Sequence, residues 1–282
     1  MRRNVLVIGK HSYIGRNFIS YCNENNKQDE MIHIHAISGK NKEYEKEDFS
    51  RYDCVILLSG IVHVKADSQL YYEINNKMAV DIAKKAKLSN VKHFIFLSTI
   101  AVLGERLDNK TNIDKPMPCN DYAKSKCLAE ESIMSLNSSE FLVTVVRPPM
   151  VYGKGCPGNF SRLVKLIEHV HCFPNVKNER SAIYITNLCS FLYQIVYRPM
   201  SGVFVPQNSE YLSSLDIAII ISKKKRIILL KGIRWIIYGM MPVIKPISKM
   251  FGNYRYPLDL SHFDDFNYQR VSTKESIEKS LE

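Results

Sequence analysis

The first fifteen residues constrain the fold most. Residues 4–8 (NVLVI) form a short β-branched run that stops at Gly9, and residues 13–22 (YIGRNFISYC) repeat apolar positions at helical spacing. Strand, tight turn and helix therefore follow one another with no residues to spare. The order recurs along the chain: the pattern predicts strands at Met31–Ile37, Cys54–Leu58, His93–Leu97 and Phe141–Val146, with helices at Leu70–Ala86 and Tyr122–Leu136. Strands that read as near-continuous apolar runs are buried on both faces, and strands separated by helices pair in parallel. The expected class is α/β, a doubly wound parallel sheet with helices on both sides.

After Arg147 the pattern loosens into PPMVYGKGCPG, whose prolines and glycines continue neither a helix nor a central strand. A smaller C-terminal α+β lobe is expected from there. Helices at Phe160–Val170 and Asn187–Tyr197 and a strand at Gly202–Val205 predict that the chain passes between sheet and lobe. The expected division gives residues 1–153, with 184–201 returning, to the sheet domain, and 154–183 with 202–282 to the lobe.

Composition excludes several classes. A chain of 282 residues with 45% hydrophobic content, 12 Gly and 11 Pro is neither disordered nor fibrous. The opening MRRNVLVIGK has too short an apolar run for a secretion signal, so a cytoplasmic location is expected. Seven scattered cysteines without C-x-x-C spacing read as reduced thiols. The pairs His33/His35 and His169/His171 each lack a third ligand, and no metal is expected. The net charge of +11 suits nucleic acid, an anionic membrane or a phosphorylated substrate. The dense cluster Lys223–Arg226 has no interleaved aromatics, so nucleic acid is not expected. Residues 226–251 hold the one membrane candidate. Its longest apolar run, Trp235–Ile244, is half of the roughly 20 residues a span needs, and an ordinary strand and helix are expected ahead of peripheral membrane contact.

The residues that carry chemistry begin at Gly9-Lys-His-Ser12-Tyr-Ile-Gly15, a glycine turn between strand and helix. Gly9 permits the sharp turn, Gly15 permits close helix packing, and the helix N-terminus offers unpaired N–H groups to a pyrophosphate. Ser12 stands where a middle glycine is usual. The second strand ends in Ala36-Ile37-Ser38-Gly39-Lys40 without an acid to bind a ribose 2′-hydroxyl. Ser38 and Lys40 can donate to a 2′-phosphate, so NADP(H) is expected ahead of NAD(H). Tyr122 and Lys126 lie four residues apart, on one helical face. A phenol titrates near pH 10 in water, so action near neutrality calls for a nearby positive charge, which Lys126 is expected to supply. Ser98-Thr99 ends a predicted strand, where sheet enzymes bind ligands, and the Thr99 hydroxyl is expected beside Tyr122.

In this order the motifs resemble the extended short-chain dehydrogenase/reductases, the group of sugar-nucleotide epimerases, dehydratases and reductases. The resemblance runs through GKHSYIG, YYEINNKMA, VKHFIFLSTIAVLGE, DYAKSKCLAE, VVRPPMVYGKGCPGNFSRLVKLI and NERSAIYITNL, nearly the whole chain. It implies a Rossmann domain with a smaller substrate-binding lobe, and a catalytic trio of Thr99, Tyr122 and Lys126. It implies cofactor contacts at Gly9, Ser12, Tyr13, Ile14, Gly15, Ser38, Lys40, Leu58, Ser59, Ser98 and Pro149-Met150-Val151, with Asn75 supporting the site and Tyr122 and Lys126 also touching the cofactor. Asn159, Arg162 and Arg180, with Thr99, match substrate positions. Met150 stands where many epimerases and dehydratases have asparagine, and Thr99-Ile100 lacks the acid of the 4,6-dehydratases, which disfavours dehydration.

RPPMVYGKGCPGNF with PNVKNERSAIYITNL most resembles the capsule and O-antigen reductases acting on UDP-4-keto-6-deoxy-N-acetylhexosamines, which form UDP-N-acetylfucosamine or UDP-N-acetylquinovosamine. The partner so implied is a UDP-linked amino sugar, with a homodimer formed through the helices at Leu70–Ala86 and Tyr122–Leu136. Two other readings stay open: a UDP-sugar 4-epimerase with tightly held NAD, and a non-catalytic NADP-binding scaffold on the same fold. Cys156 lies in the substrate loop, but this redox chemistry needs no thiol nucleophile.

Overall fold

The computed structural model describes residues 2–26, 32–62, 67–105, 107–108, 111–264 and 266–282. Its strands are β1 (Arg3–Ile8), β2 (Ile32–Ile37), β3 (Cys54–Leu57), β4 (His93–Leu97), β5 (Leu142–Val146), β6 (Met150–Tyr152), β7 (Cys172–Pro174), β8 (Ala182–Tyr184), β9 (Gly202–Phe204) and β10 (Ile228–Leu230). Six of them form one parallel sheet in the order β2-β1-β3-β4-β5-β9. Every residue of β3 and β4 is buried, as their unbroken apolar runs require. Edge strand β2 instead turns His33 and His35 outward, which accounts for that alternating pair. Met31, expected at its start, lies outside the described residues.

One expectation is corrected at the other edge. Residues 202–204, assigned to the lobe, form edge strand β9 of the main sheet, with Val203 in register with Val145 and Arg147 N donating to Phe204 O at 2.8 Å. Val203 packs against the same apolar layer as Val145, so burial holds the strand on the sheet.

Two apolar layers enclose the sheet. One face carries the helices Met78–Leu88 and Asp121–Met134, with Ile82, Ala86, Ala129 and Ile133 against Phe94 and Val143. The other carries Tyr13–Asn25 and Ile185–Tyr197, and its core runs on without a break into the lobe through Tyr152, Phe160, Phe173 and Tyr268. Asn208 ties the two: its carboxamide accepts from Tyr184 N and Asn187 Nδ2 and donates to Tyr152 Oη at 2.7 Å. Two further two-stranded sheets, β6 with β8 and β7 with β10, lie outside the six-stranded one. The segment expected as strand and helix is β10 followed by two short helices, Arg234–Met240 and Lys245–Phe251, separated around Pro242. No helix among the described residues is long and apolar enough to cross a membrane.

From β1 the chain winds outward to β2, then returns across β1 to β3 and on towards β9. The winding reverses between β1 and β3, and such sheets form a crevice beyond the carboxyl ends of the strands at that point.

Candidate active site

The crevice is built by the turns that leave β1, β3 and β4. At Gly9 the backbone takes φ +122°, and a Cβ there would stand 2.8 Å from the carbonyl carbon of Leu58. At Gly15 a Cβ would stand 2.2 Å from Gly9 O. Both positions require glycine because helix, turn and neighbouring loop touch through backbone alone. Ser12 caps the helix Tyr13–Asn25, its Oγ accepting from Gly15 N at 2.9 Å. The serine in the middle-glycine position thus has a structural task worth about 1 kcal/mol, and Ser12 still lines the crevice.

A cleft of about 780 Å³ opens over this turn. Its floor includes Ser12, Tyr13, Ile14, Leu58 and Ser59, and its far wall Pro149, Met150 and Val151. Two hydroxyls on it, Tyr13 Oη and Ser98 Oγ, are buried with no hydrogen-bond partner among the described residues. Buried polar groups are otherwise almost always paired, so these await a polar ligand. Glycine turn, helix N-terminus, cleft volume and waiting hydroxyls fit a dinucleotide.

Ser38 and Lys40 do not line the cleft: Ser38 Oγ accepts from Lys40 N at 3.0 Å, and the Lys40 side chain is exposed. The acid that the tip of β2 lacks in sequence arrives from further along, because Glu43 folds back to accept from Ser38 N at 2.9 Å. Lys10 Nζ stands 3.9 Å from the same carboxylate oxygen. Left-handed Asn41 and Lys42, at φ 57° and 53°, turn the chain back to make this contact.

Thr99, Tyr122 and Lys126 all line the cleft. Asn120 caps the helix Asp121–Met134 by accepting from Ala123 N at 2.9 Å, which sets Tyr122 in the first turn and Lys126 one turn on. The Thr99 hydroxyl stands beside the phenol and favours its charged form. Burial pushes the phenol pKa up to about 12; Thr99 pulls against this, and Tyr71, whose ring centre lies 6.1 Å away, pushes with it. Lys126 is not among the groups that shift the phenol. Its ammonium is turned to Leu97 O at 2.9 Å and sits 4.6 Å from the centre of the Phe96 ring, leaving Thr99 alone to draw the phenol down. Burial lowers the lysine pKa to about 8 against the opposing pull of the Glu130 carboxylate.

Asn75 does not line the cleft; it holds the wall. The helix expected at Leu70–Ala86 runs as Ser68–Tyr71, a π-turn at Tyr72–Lys77 and Met78–Leu88. Within the π-turn Asn75 accepts from Ile61 N at 2.9 Å and donates to Ile61 O at 3.1 Å, clasping the loop after β3. Such turns insert one residue and re-aim a side chain, and they recur at functional sites.

Among substrate candidates, Asn159 and Arg180 line the cleft, whereas Arg162 is exposed one turn along its helix and does not. Arg180 Nη1 also donates to Lys249 O and Gly252 O at 3.0 and 3.1 Å, and its guanidinium lies 5.6 Å from the centre of the Tyr254 ring. Sequence reasoning missed Glu43, Tyr71 and the buried pair Glu130–Arg147. In that pair Arg147 Nε lies 3.0 Å from both carboxylate oxygens, directly before the Pro148-Pro149 wall. A glutamate one turn past Lys126 and an arginine before two prolines were the available signals.

Comparison with known proteins follows the same lines. Residues 5–203 match the profile of the NAD dependent epimerase/dehydratase family. The chain is 28% identical over 245 residues to a UDP-glucose 4-epimerase from Vibrio cholerae, covering 77% of this chain and 74% of that protein. It is 26% identical over 208 residues to an N-acetyl-α-D-glucosaminyl-diphospho-ditrans,octacis-undecaprenol 4-epimerase from Escherichia coli O157:H7, covering 68% of this chain and 62% of that one. Two solved structures share the fold. A dTDP-4-dehydrorhamnose reductase from Bacillus anthracis in complex with NADP has a TM-score of 0.67 at 19% identity, covering 100% and 99% of the two chains. A UDP-glucuronic acid 4-epimerase from Bacillus cereus in complex with NAD has a TM-score of 0.72 at 16% identity, covering 98% and 97%.

Proposed function

Because the chain belongs to the NAD-dependent epimerase/dehydratase family, we propose that it exchanges hydride and proton at carbon 4 of a UDP-linked sugar, in the direction of reduction. The substrate this reading names is a UDP-4-keto-6-deoxy-N-acetylhexosamine, and the products serve surface polysaccharides. The observation that carries it is the convergence of Thr99, Tyr122 and Lys126 on one cleft, with burial favouring the protonated phenol of Tyr122. Reduction of a carbonyl needs a proton donor at its oxygen, whereas oxidation of an alcohol needs a base. A phenol protonated at rest suits the first task.

A bound nicotinamide dinucleotide supplies the hydride. The chain's own residues do the rest. Tyr122 gives its proton to the oxygen at carbon 4, and Thr99 holds that oxygen within reach of the phenol. Lys126, charged below about pH 8, places a positive charge at the floor of the cleft. Asn159 and Arg180 face the diphosphate, for which a guanidinium is a two-pronged donor. Glu43 turns the cofactor reading towards NAD(H): a carboxylate at the tip of β2 accepts from a ribose 2′-hydroxyl and repels a 2′-phosphate.

The test replaces Tyr122 by Phe and follows oxidation of NADH and NADPH with a panel of UDP-4-keto-sugars. A fall of about 10²–10⁴ in kcat with an unchanged fold is expected, and unchanged turnover would remove the mechanism. A second reading, a 4-epimerase, is favoured by the Vibrio cholerae relative. Conversion of a UDP-hexose by the purified protein without added reduced cofactor would establish that reading in place of the first.

A further inference from the structure

Between Lys223 and Arg255 the chain carries nine basic residues (Lys223–Arg226, Lys231, Arg234, Lys245, Lys249 and Arg255) and no Asp or Glu. Against a net charge of +11, this one stretch holds nearly all of the excess. Lys223 pairs with Glu278 and Arg255 with Glu179. The other seven are exposed and form no ion pair among the described residues.

The same stretch leaves large apolar side chains in water. Trp235, the single tryptophan of the chain, is 74% exposed, Val243 81% and Ile228 61%. These are not failed core residues, because the segment's own core contacts are made by the alternate positions. Ile227 and Leu229 flank Ile228 and pack inward, and Ile233, Ile237 and Phe251 bind the short helices to the main core. What faces out is therefore apolar anchors set among unpaired cations. An interfacial tryptophan beside Lys and Arg is the combination that binds the headgroup boundary of an anionic membrane. Exposed anchors next to seven unpaired positive charges have a matching partner in a negatively charged lipid surface.

We propose that residues 223–249 form a docking surface for an anionic phospholipid bilayer, on which the protein sits peripherally. The surface is joined to the catalytic cleft: Arg180, on the cleft wall, donates to Lys249 O and Gly252 O at its C-terminal end.

The single tryptophan makes the test direct. The purified full chain is mixed with vesicles of phosphatidylcholine, with and without phosphatidylglycerol, and followed by co-sedimentation and by Trp235 emission. Binding to the phosphatidylglycerol vesicles with a blue shift, reversed by high salt, is expected. Each basic side chain at such a surface is worth about five-fold in partitioning, so Lys224→Glu/Lys225→Glu/Lys245→Glu should weaken binding about a hundred-fold or more. Circular dichroism and turnover of that variant should match the parent, since all three side chains are exposed and none lines the cleft. Trp235→Ser should retain charge-driven sedimentation with weaker retention at moderate salt. No sedimentation, or sedimentation that the triple reversal leaves intact, overturns the proposal. So does a Trp235 shift that follows protein concentration without lipid, which would make the occupant a second copy, and so does binding of single-stranded RNA in preference to the vesicles.

Discussion

Replacing Lys126 by methionine should stabilise the cofactor-free protein while ending its turnover. Lys126 is 4% exposed, and its ammonium has Leu97 O as its hydrogen-bond partner. The fall from the ordinary lysine value of 10.5 to about 8 means that keeping this group charged in the folded chain costs about 3 kcal/mol at neutral pH. Methionine keeps the aliphatic stem and sheds the charge, but it gives up the bond to Leu97 O, worth about 1 kcal/mol. A net gain of about 2 kcal/mol follows, or roughly 3–4 °C in Tm for a chain of this size. The sign of the pH dependence is set by the same group. Between about pH 8 and 10.5 the unfolded chain binds more protons at Lys126 than the folded chain does, so this contribution to stability rises with pH there. Below about pH 8 the deficit is present in full. Calorimetry of both proteins at pH 7 and near pH 10 should therefore show their Tm values converging as pH rises, while kcat of the variant stays at least about 10²-fold down. A methionine variant less stable than the parent at pH 7, or a gap that does not close with pH, would show that the lysine is comfortable where it lies and that its burial is not a strain held for function.

Three further outcomes can be read with simpler assays. Gly15→Ala should abolish dinucleotide binding in a titration by intrinsic fluorescence, because the added methyl would lie 2.2 Å from Gly9 O and must push the helix off the turn. Glu43→Gln removes the carboxylate beside Ser38 N and should shift the NADH/NADPH ratio of kcat/KM towards NADPH by about ten-fold, the effect of one charge near the end of β2; an unchanged ratio would free Glu43 of any part in selectivity. Glu130→Ala leaves the Arg147 guanidinium buried and unpaired, and should cost about 3–5 kcal/mol in urea denaturation, whereas Glu130→Ala combined with Arg147→Met should recover much of that loss.

The parts of this fold that were legible in sequence are those whose cause is local. Val5, Leu6 and Val7 have no polar face to show, so they announce a strand buried on both sides, and Gly9 and Gly15 announce a turn where backbone meets backbone. Tyr122 and Lys126 share a helix face for the same reason of short-range geometry. What stayed hidden depends on chain that leaves a strand and comes back. Glu43 reaches Ser38 N only because Asn41 and Lys42 turn left-handed, a conformation that Asn adopts more readily than other side-chain-bearing residues but that Lys42 does not announce. The absence of an acid at residues 38–40 belongs to that strand alone, and the carboxylate beside Ser38 N comes from chain beyond it. Residues 202–204 look like a lobe strand because three residues carry no pattern; the open edge of β5 claims them. Asn75 was placed on its helix, but its hold on Ile61 needs the π-turn, since a regular helix would carry the carboxamide about 100° round the axis, away from the loop. The lysine is the sharpest case. Spacing four residues from Tyr122 puts the two side chains on one face, yet it cannot say that Leu97 O competes for the ammonium, and that competition is what separates a charge that activates the phenol from one that waits for a ligand beside it.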